Sequence, residues 1–499
     1  MESSFLRKKI VYLYYNIGDA LLIHSKLRKD ITSLIEPVII SYGDHNPSLG
    51  LYSLNEQRIN AEKVSFPVEP HLMDVLNEKK DKIIRMLARQ QLKACSLSYD
   101  ELEVHYYNMI SYWRYFLDVN KIDIVISRAV PHFASEYIFC LLVTSLGIKV
   151  LIENHLPYLN RVLIGDYYDD TIHFLLSEEA PSKKICDDVE SIINGIRCNE
   201  TSKTSYYPQD AMQKTAFGMS AFDLWWRVNI ALLREVKRNV FRGDSRYLTR
   251  YYLTSGRTAG FLSSVTPIQI IKKSIISFKR SRINRSLYAK LVEEKGDDGA
   301  GYPRVLYAAH YEPEASVNPM GGRFYTNFEA LKYLEGVLPD SAVLIYKEHP
   351  VNLMNNSVGV EPEAGRTPVY YELIKNIKNI RFISAESENK AAIRSADIVV
   401  TITGTMGLEA SIMEKPVVVF GSPWYSSCNN IISYNTINNL NAFFDSEWKD
   451  VRTSMGMWQE YLEKMATNGI ESKFAWATIT TTKREISDQY VALIKRYMN

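Results

Sequence analysis

ADIVVTITGTMGLEASIMEKPVVVF, residues 396–420, is the stretch that decides the fold. Ile398–Thr401 is a short apolar run rich in β-branched residues, which fits a pleated, buried surface. It breaks at Thr403-Gly404-Thr405-Met406-Gly407, where helical spacing begins and runs to Met413. Lys415-Pro416 then opens a second apolar run, Pro416–Phe420. Strand, turn, helix and strand in so short a span imply parallel strands joined by a crossover helix. An almost continuous apolar strand belongs to a sheet covered on both faces.

The turn itself can carry chemistry. Thr403 and Thr405 offer hydroxyls, and the amides of Gly404 and its neighbours at a helix N-terminus favour a phosphate. Thr405 also reads as the N-cap of that helix, a role compatible with phosphate binding. Glu409, one turn into the helix, is placed to accept from ribose hydroxyls. The lysine spacing of a Walker A loop is absent, which disfavours a nucleoside triphosphatase.

The same rhythm extends upstream. Arg304–Ala309, Ala342–Tyr346 and Asn379–Ile383 read as further strands, separated by helical patterns over Asn327–Val337, Val369–Asn376 and Ser387–Ser395. Two more polar loops follow these strands. Residues 308–322, AAHYEPEASVNPMGG, carry His310, Tyr311, Glu312 and Glu314 before a flexible Gly-Gly. Residues 347–350 are Lys347-Glu348-His349-Pro350, where the proline stiffens the turn and Lys and His can donate to phosphate, ribose or base. Ligands of open parallel sheets bind beyond the carboxyl ends of the strands, so three such loops on one edge outweigh any one of them.

The first half alternates in the same way, with strands expected at Ile10–Tyr15, Pro37–Ser41, Asp123–Ser127, Lys149–Glu153 and Thr171–Leu176 and a long helical stretch over Glu69–Val119. Its carboxyl-end loops hold Asp19, then Arg128 to His132, then Glu153-Asn154-His155. For each of these a capping or hydrogen-bonding role weighs as much as a catalytic one. The expected division is an N-terminal unit over 1–230, a basic helical connector over 231–300, a C-terminal unit over 301–430 and C-terminal helices over 431–499.

Composition is that of a globular chain: 499 residues, 46% hydrophobic and 23% charged, with a formal net charge of +2. Whole-chain charge therefore points to no polyanionic partner, but its distribution is uneven. Residues 231–290 contain fourteen Lys or Arg against two acids, interleaved with aromatics such as Phe241, Tyr251 and Phe261. That stretch reads either as a solvated connector or as a face for anionic lipid at an inner-membrane surface. Nucleic acid is disfavoured, because no recognition module accompanies the charge. Five cysteines without a C-x-x-C pair suggest reduced thiols in a cytoplasmic protein and no zinc site. No signal peptide of the usual length and no bilayer-spanning stretch is expected.

HYEPEAS–PMGG, YKEHP and TITGTMGLEA–KPVVVFG–WY, in this order, resemble the capsule-polysaccharide biosynthesis proteins of bacteria, glycosyltransferases of the GT-B type. The resemblance covers about residues 303–425 and extends weakly to SRAVPHFASEYI and LGIKVLIENHLPYLNRVLIGDYYDD. It implies two Rossmann-like domains facing a cleft, with the donor nucleotide on the C-terminal one and the acceptor on the N-terminal one. Members similar to the capsule 3-deoxy-manno-octulosonic acid (Kdo) transferases use CMP-activated sugars. On that likeness His349 and Pro350 would line the nucleotide, Thr403, Gly404 and Thr405 would hold its phosphate, and Lys347 extends the pattern. The nucleotide-sugar is then a substrate, with a glycan or lipid-linked acceptor, and no cofactor or metal is expected. The acidic D/E-D/E-G motif of similar sialyltransferases has no counterpart, since Asp169-Asp170 lacks the glycine. Asp19, Glu136 and Glu153 from the first half, and Glu314 from the donor side, are the candidates for catalytic base. A CDP-alcohol phosphotransferase, a nucleotide-sugar 2-epimerase and a non-catalytic capsule assembly protein are the competing readings.

Overall fold

The computed structural model describes residues 8–15, 17–31, 33–41, 47–53, 64–90, 98–156, 158–198, 267–312, 314–353, 366–428, 430–434, 440–451, 455–471 and 484–498. Residues 231–266 of the basic stretch lie outside them. The first half contributes β1 (Ile10–Leu13), β2 (Val38–Ser41), β3 (Leu51–Ser53), β4 (Ile124–Ser127), β5 (Lys149–Leu156), β6 (Arg161–Tyr168) and β7 (Thr171–His173). The second contributes β8 (Arg304–Ala308), β9 (Val343–Lys347), β10 (Ile380–Ile383), β11 (Ile398–Thr401), β12 (Val417–Val419) and β13 (Ile431–Ser433); Ile470–Glu471 is β14.

The second sheet is ordered β10-β9-β8-β11-β12-β13, and every neighbouring pair is parallel. Counted from β8, this is the 3-2-1-4-5-6 order of a Rossmann sheet. Alternation splits its side chains between two layers: Val305 and Tyr307 enter one core, Leu306 and Ala308 the other. The first sheet runs β3-β2-β1-β4-β5 in parallel, the same order in its first five strands, and then turns antiparallel at β6. The expected pair of Rossmann-like units is therefore present. In each sheet the strand order reverses beside its first strand, the place at the carboxyl edge where open parallel sheets form a ligand crevice.

Strands β3, β6, β13 and β14 escaped the sequence reading. The β5–β6 hairpin turns through Tyr158 and Asn160, at φ 70° and 48°, where the usual signal would be glycine. Asp169 and Asp170, at φ 45° and 62°, form the two-residue turn into β7. Asp170 is buried and accepts from Lys82 Nζ at 2.6 Å and from the hydroxyls of Tyr137 and Tyr167 at 3.0 Å. This acidic pair is thus a hairpin turn locked to the Lys80–Gln90 helix.

Two long segments are incorporated into the domains. The Pro267–Glu294 helix buries Tyr288 against β9 and β10, its hydroxyl donating to the Ile383 carbonyl at 2.6 Å. The tail is divided: the Met455–Asn468 helix packs against the Lys183–Arg197 helix in an apolar cluster shared by the two halves, whereas β14 pairs with β6 and the Arg484–Met498 helix covers the first sheet. No helix of the described residues is long and apolar enough to cross a membrane.

Candidate functional site

The C-terminal crevice lies between β8 and β11, which are hydrogen-bonded neighbours. His310 leaves β8 and the Thr403-Gly404-Thr405 turn leaves β11, and a hydrogen bond fixes one to the other. The Thr403 amide donates to His310 Nε2 at 3.0 Å, which assigns the ring proton to Nδ1. Burial, with the nearby His349 and Arg366, lowers the His310 pKa to about 3, so the ring is neutral. Gly404 is the N-cap of the Thr405–Ile412 helix, one position before the Thr405 cap expected from sequence, and Thr405 is the helix's exposed first residue. A Cβ on Gly404 would lie 2.8 Å from Thr401 Oγ1 and 3.1 Å from His310 Nε2, so the close approach requires glycine. The Gly404 amide donates to Thr401 Oγ1 and the Gly407 amide to the Gly404 carbonyl. Helix geometry leaves the amides of Thr405 and Met406 without intrahelical acceptors. The Thr403 hydroxyl is already committed to the Ser316 carbonyl at 2.7 Å.

Residues 347–350 divide into structural and open parts. Lys347 ends β9 with its side chain buried, and its ammonium donates to the Ala385 carbonyl at 2.9 Å. Burial lowers its pKa to about 8. Glu348 turns back into the fold and is fully buried. It accepts from Tyr346, Tyr371, Arg366 Nε, Asn352 and the His349 amide at 2.7–3.1 Å. Burial raises its pKa to about 7 even against those donors. Arg366 bridges Glu348 and Glu312 and lies 3.9 Å over the Tyr370 ring. Glu312 in turn caps the Asn327–Val337 helix through the Asn327 amide at 2.6 Å. His349 is left at the rim. Its Nδ1 accepts from the Val351 amide at 3.3 Å, placing the proton on Nε2, and burial with the Lys347 charge lowers its pKa to about 4. Pro350 starts the helical turn Pro350–Leu353, where its missing N–H costs no bond.

The N-terminal crevice, between β1 and β4, brings together three of the residues read from sequence. Arg128 Nη1 donates to Asp19 Oδ2 at 3.3 Å, and Glu153 of β5 lies beside them. The hydroxyls of Tyr15 and Tyr490 both donate to Glu153 Oε1. Burial and the nearby Asp19 raise the Glu153 pKa to about 7, against the two hydroxyls and Arg128, which lower it. Glu136 is elsewhere: it is fully buried and accepts from the His132 and Phe133 amides at 2.9 and 3.0 Å, capping the Ala134–Ser145 helix. Glu314 accepts from the Ser316 hydroxyl at 2.9 Å in the loop under Thr403. Glu409 faces the other domain, where it receives the Tyr158 hydroxyl.

The two halves meet along these edges. Asn318 donates to the Lys82 carbonyl at 3.2 Å, Tyr325 to Asp81 at 2.6 Å and Thr171 to Ser422 at 3.1 Å. Leu156, Tyr158 and Leu163 of the first half share one apolar cluster with Met406 and Tyr425 of the second. The loops above the C-terminal sheet thus face the N-terminal half.

Residues 320–431 match the model of the family described as capsule polysaccharide biosynthesis protein. That segment holds Lys347 to Pro350, the 403–405 turn and Glu409. The resemblance read from the motifs is therefore met there. The lipopolysaccharide-processing protein LpsZ of Rhizobium meliloti is 31% identical over 124 residues, a match covering 25% of this chain and 26% of that protein. Among solved structures, the KpsC β-Kdo 2,7 transferase of Thermosulfurimonas dismutans aligns over 99% of this chain and 100% of its own, at 10% identity and a TM-score of 0.29. The β-Kdo 2,4 transferase of the same KpsC aligns over 38% and 54%, at 18% identity and a TM-score of 0.22. At such scores the fold assignment rests on the strand order itself.

Sequence reasoning missed Tyr15 and Tyr490 at the N-terminal crevice. Tyr490 is separated from Glu153 by 337 positions, and no local pattern announces such a contact. Tyr15 stood at the end of the expected first strand, where it read as one more apolar residue.

Proposed function

We propose that this chain is a glycosyltransferase of capsule or other surface polysaccharide biosynthesis. It takes a sugar from a nucleotide donor, CMP-linked by preference, and delivers it to a glycan or lipid-linked acceptor. The observation that carries this reading is the His310–Thr403 bond, which fixes two loops at the reversal point of a Rossmann sheet, within and beside the segment that matches the family. The donor phosphate sits against the Thr405 and Met406 amides at the helix N-terminus, which favours an anion. His349 donates from Nε2 to the nucleotide, as a neutral ring, while His310 holds the turn.

The acceptor lies at the N-terminal crevice. Glu153, with its pKa about 7, is matched to receive a hydroxyl proton near neutral pH. Arg128 and the helix N-terminus stabilise charge as the nucleotide phosphate leaves, and the protein does this without a bound metal. Asp19 supports Arg128 through their ion pair. The reading is tested by calorimetry with CMP, UDP and GDP and by hydrolysis and transfer assays across the corresponding sugars. Binding of CMP above the others and formation of a glycoside are expected. No binding or turnover with any of the three series sinks it, and a phosphodiester product would replace it with phosphotransfer.

A further inference from the structure

Two tyrosine hydroxyls from opposite ends of the chain converge on one oxygen of Glu153. Tyr15, just past β1, and Tyr490, in the Arg484–Met498 helix, each donate to Oε1, and their hydroxyls touch one another. Oε2 takes part in neither bond. Both rings are buried, at 1% and 0% exposure, so neither hydroxyl is solvated by chance. Arg128 lies 5.8 Å over the Tyr15 ring and pairs with Asp19. The titratable and charged groups bearing on Glu153 are thus Tyr15, Asp19, Arg128 and Tyr490.

The helix is anchored independently of this contact. Val491, Leu493, Ile494 and Tyr497 enter the core over the first sheet. The Tyr497 hydroxyl donates to the Ile164 carbonyl at 2.7 Å, and Lys26 pairs with Asp488 at 2.6 Å. Packing therefore sets where the Tyr490 hydroxyl arrives, before any substrate binds. A tyrosine recruited only for bulk could end on a backbone carbonyl, as Tyr497 does. Tyr490 instead ends on a carboxylate at the point where the strand order reverses.

We infer that Tyr490 is a positioning residue, delivered by the C-terminal helix so that with Tyr15 it fixes Glu153 Oε1 and leaves Oε2 directed at the acceptor hydroxyl. This rests on the sugar-transfer reading. In that transfer the acceptor oxygen bonds to the anomeric carbon and its proton passes to Oε2. The bond from that carbon to the phosphate oxygen breaks, and the nucleotide leaves with the electron pair. Each hydroxyl stabilises the ionised carboxylate, so removing one raises the pH at which Glu153 becomes a base.

The test uses the full chain. The Glu153 carboxyl is followed by carbon-13 NMR, assigned by its loss in Glu153→Gln. The pH profile of kcat/KM is measured in parallel with whichever CMP-sugar the unaltered chain turns over. In Tyr490→Phe both the titration and the acid limb should move up together, by roughly one pH unit, with CMP affinity unchanged. Tyr497→Phe, which loosens the same helix without touching Glu153, should move neither. An unmoved titration in Tyr490→Phe, an acid limb that does not follow it, or an equal shift in Tyr497→Phe overturns the inference while leaving the transfer reading in place. Absence of turnover by the unaltered chain overturns both.

Discussion

His349 and His310 show how much a neighbourhood changes a residue. As sequence, His349 was a candidate donor to phosphate, ribose or base, and His310 one polar residue of a candidate ligand loop. In the fold both are neutral, with pKa values near 4 and 3, because burial and adjacent positive groups penalise the charged ring. The sign for stability follows directly. The unfolded chain takes up these protons below the ordinary value of 6.5, the folded chain only near 4 at His349 and 3 at His310, so stability is lost as pH falls through that window. Relative to the unaltered protein, His349→Asn should gain stability between pH 6.5 and 4, by at most about 3 kcal/mol and less after solvent screening. Urea titrations across that range check it, and parallel curves would contradict the neutral ring. Gly404 makes the complementary point. Gly404→Ala should displace His310 from the Thr403 amide and weaken CMP binding about tenfold or more, read by calorimetry, because its Cβ has no room.

At the scale of elements, local pattern was a good guide wherever the apolar rhythm was regular. The Asn327–Val337 helix ends where the spacing predicts, and β8 to β12 lie within a residue or two of their expected bounds. Elements whose partners are distant escaped. β14 has two residues and exists only because β6 is there to pair with it. C-terminal helices were legible over 431–499, but the destination of the Arg484–Met498 helix was not. Its apolar face belongs to the first sheet, almost the whole chain away from it in sequence. Ile494 is fully buried there, so Ile494→Ala should cost about 2–4 kcal/mol in chemical unfolding. A loss under about 0.5 kcal/mol would mean that the helix does not pack as described.

The whole molecule joins two sheets that share the order of their first five strands, through polar bridges and one shared apolar cluster. Tyr158 and Glu409 carry one of those bridges, Glu409 from within the helix that begins at the proposed phosphate site. Tyr158→Phe should open the crevice and raise the radius of gyration measured by scattering, with both domains still folded by circular dichroism. An unchanged radius would assign the closure to the apolar cluster alone.

What the sequence determined by itself was the alternation of strands and helices, the parallel second sheet and the three loops at its carboxyl edge. These follow from spacing and β-branched content, which act over a few residues. The tertiary structure decided which polar side chains in those loops remain open. Lys347, Glu348, Glu312 and Glu136 were indistinguishable from site residues as letters, yet each answers an obligation of the fold: a carbonyl to satisfy, a guanidinium to balance, a helix to cap. His349 Nε2, the Thr405 end of the helix and Glu153 Oε2 are the groups that selection leaves for the proposed site. The reason is physical. A buried polar group must find partners, and those partners are supplied by segments far apart in sequence, so only the folded chain shows which groups have been claimed.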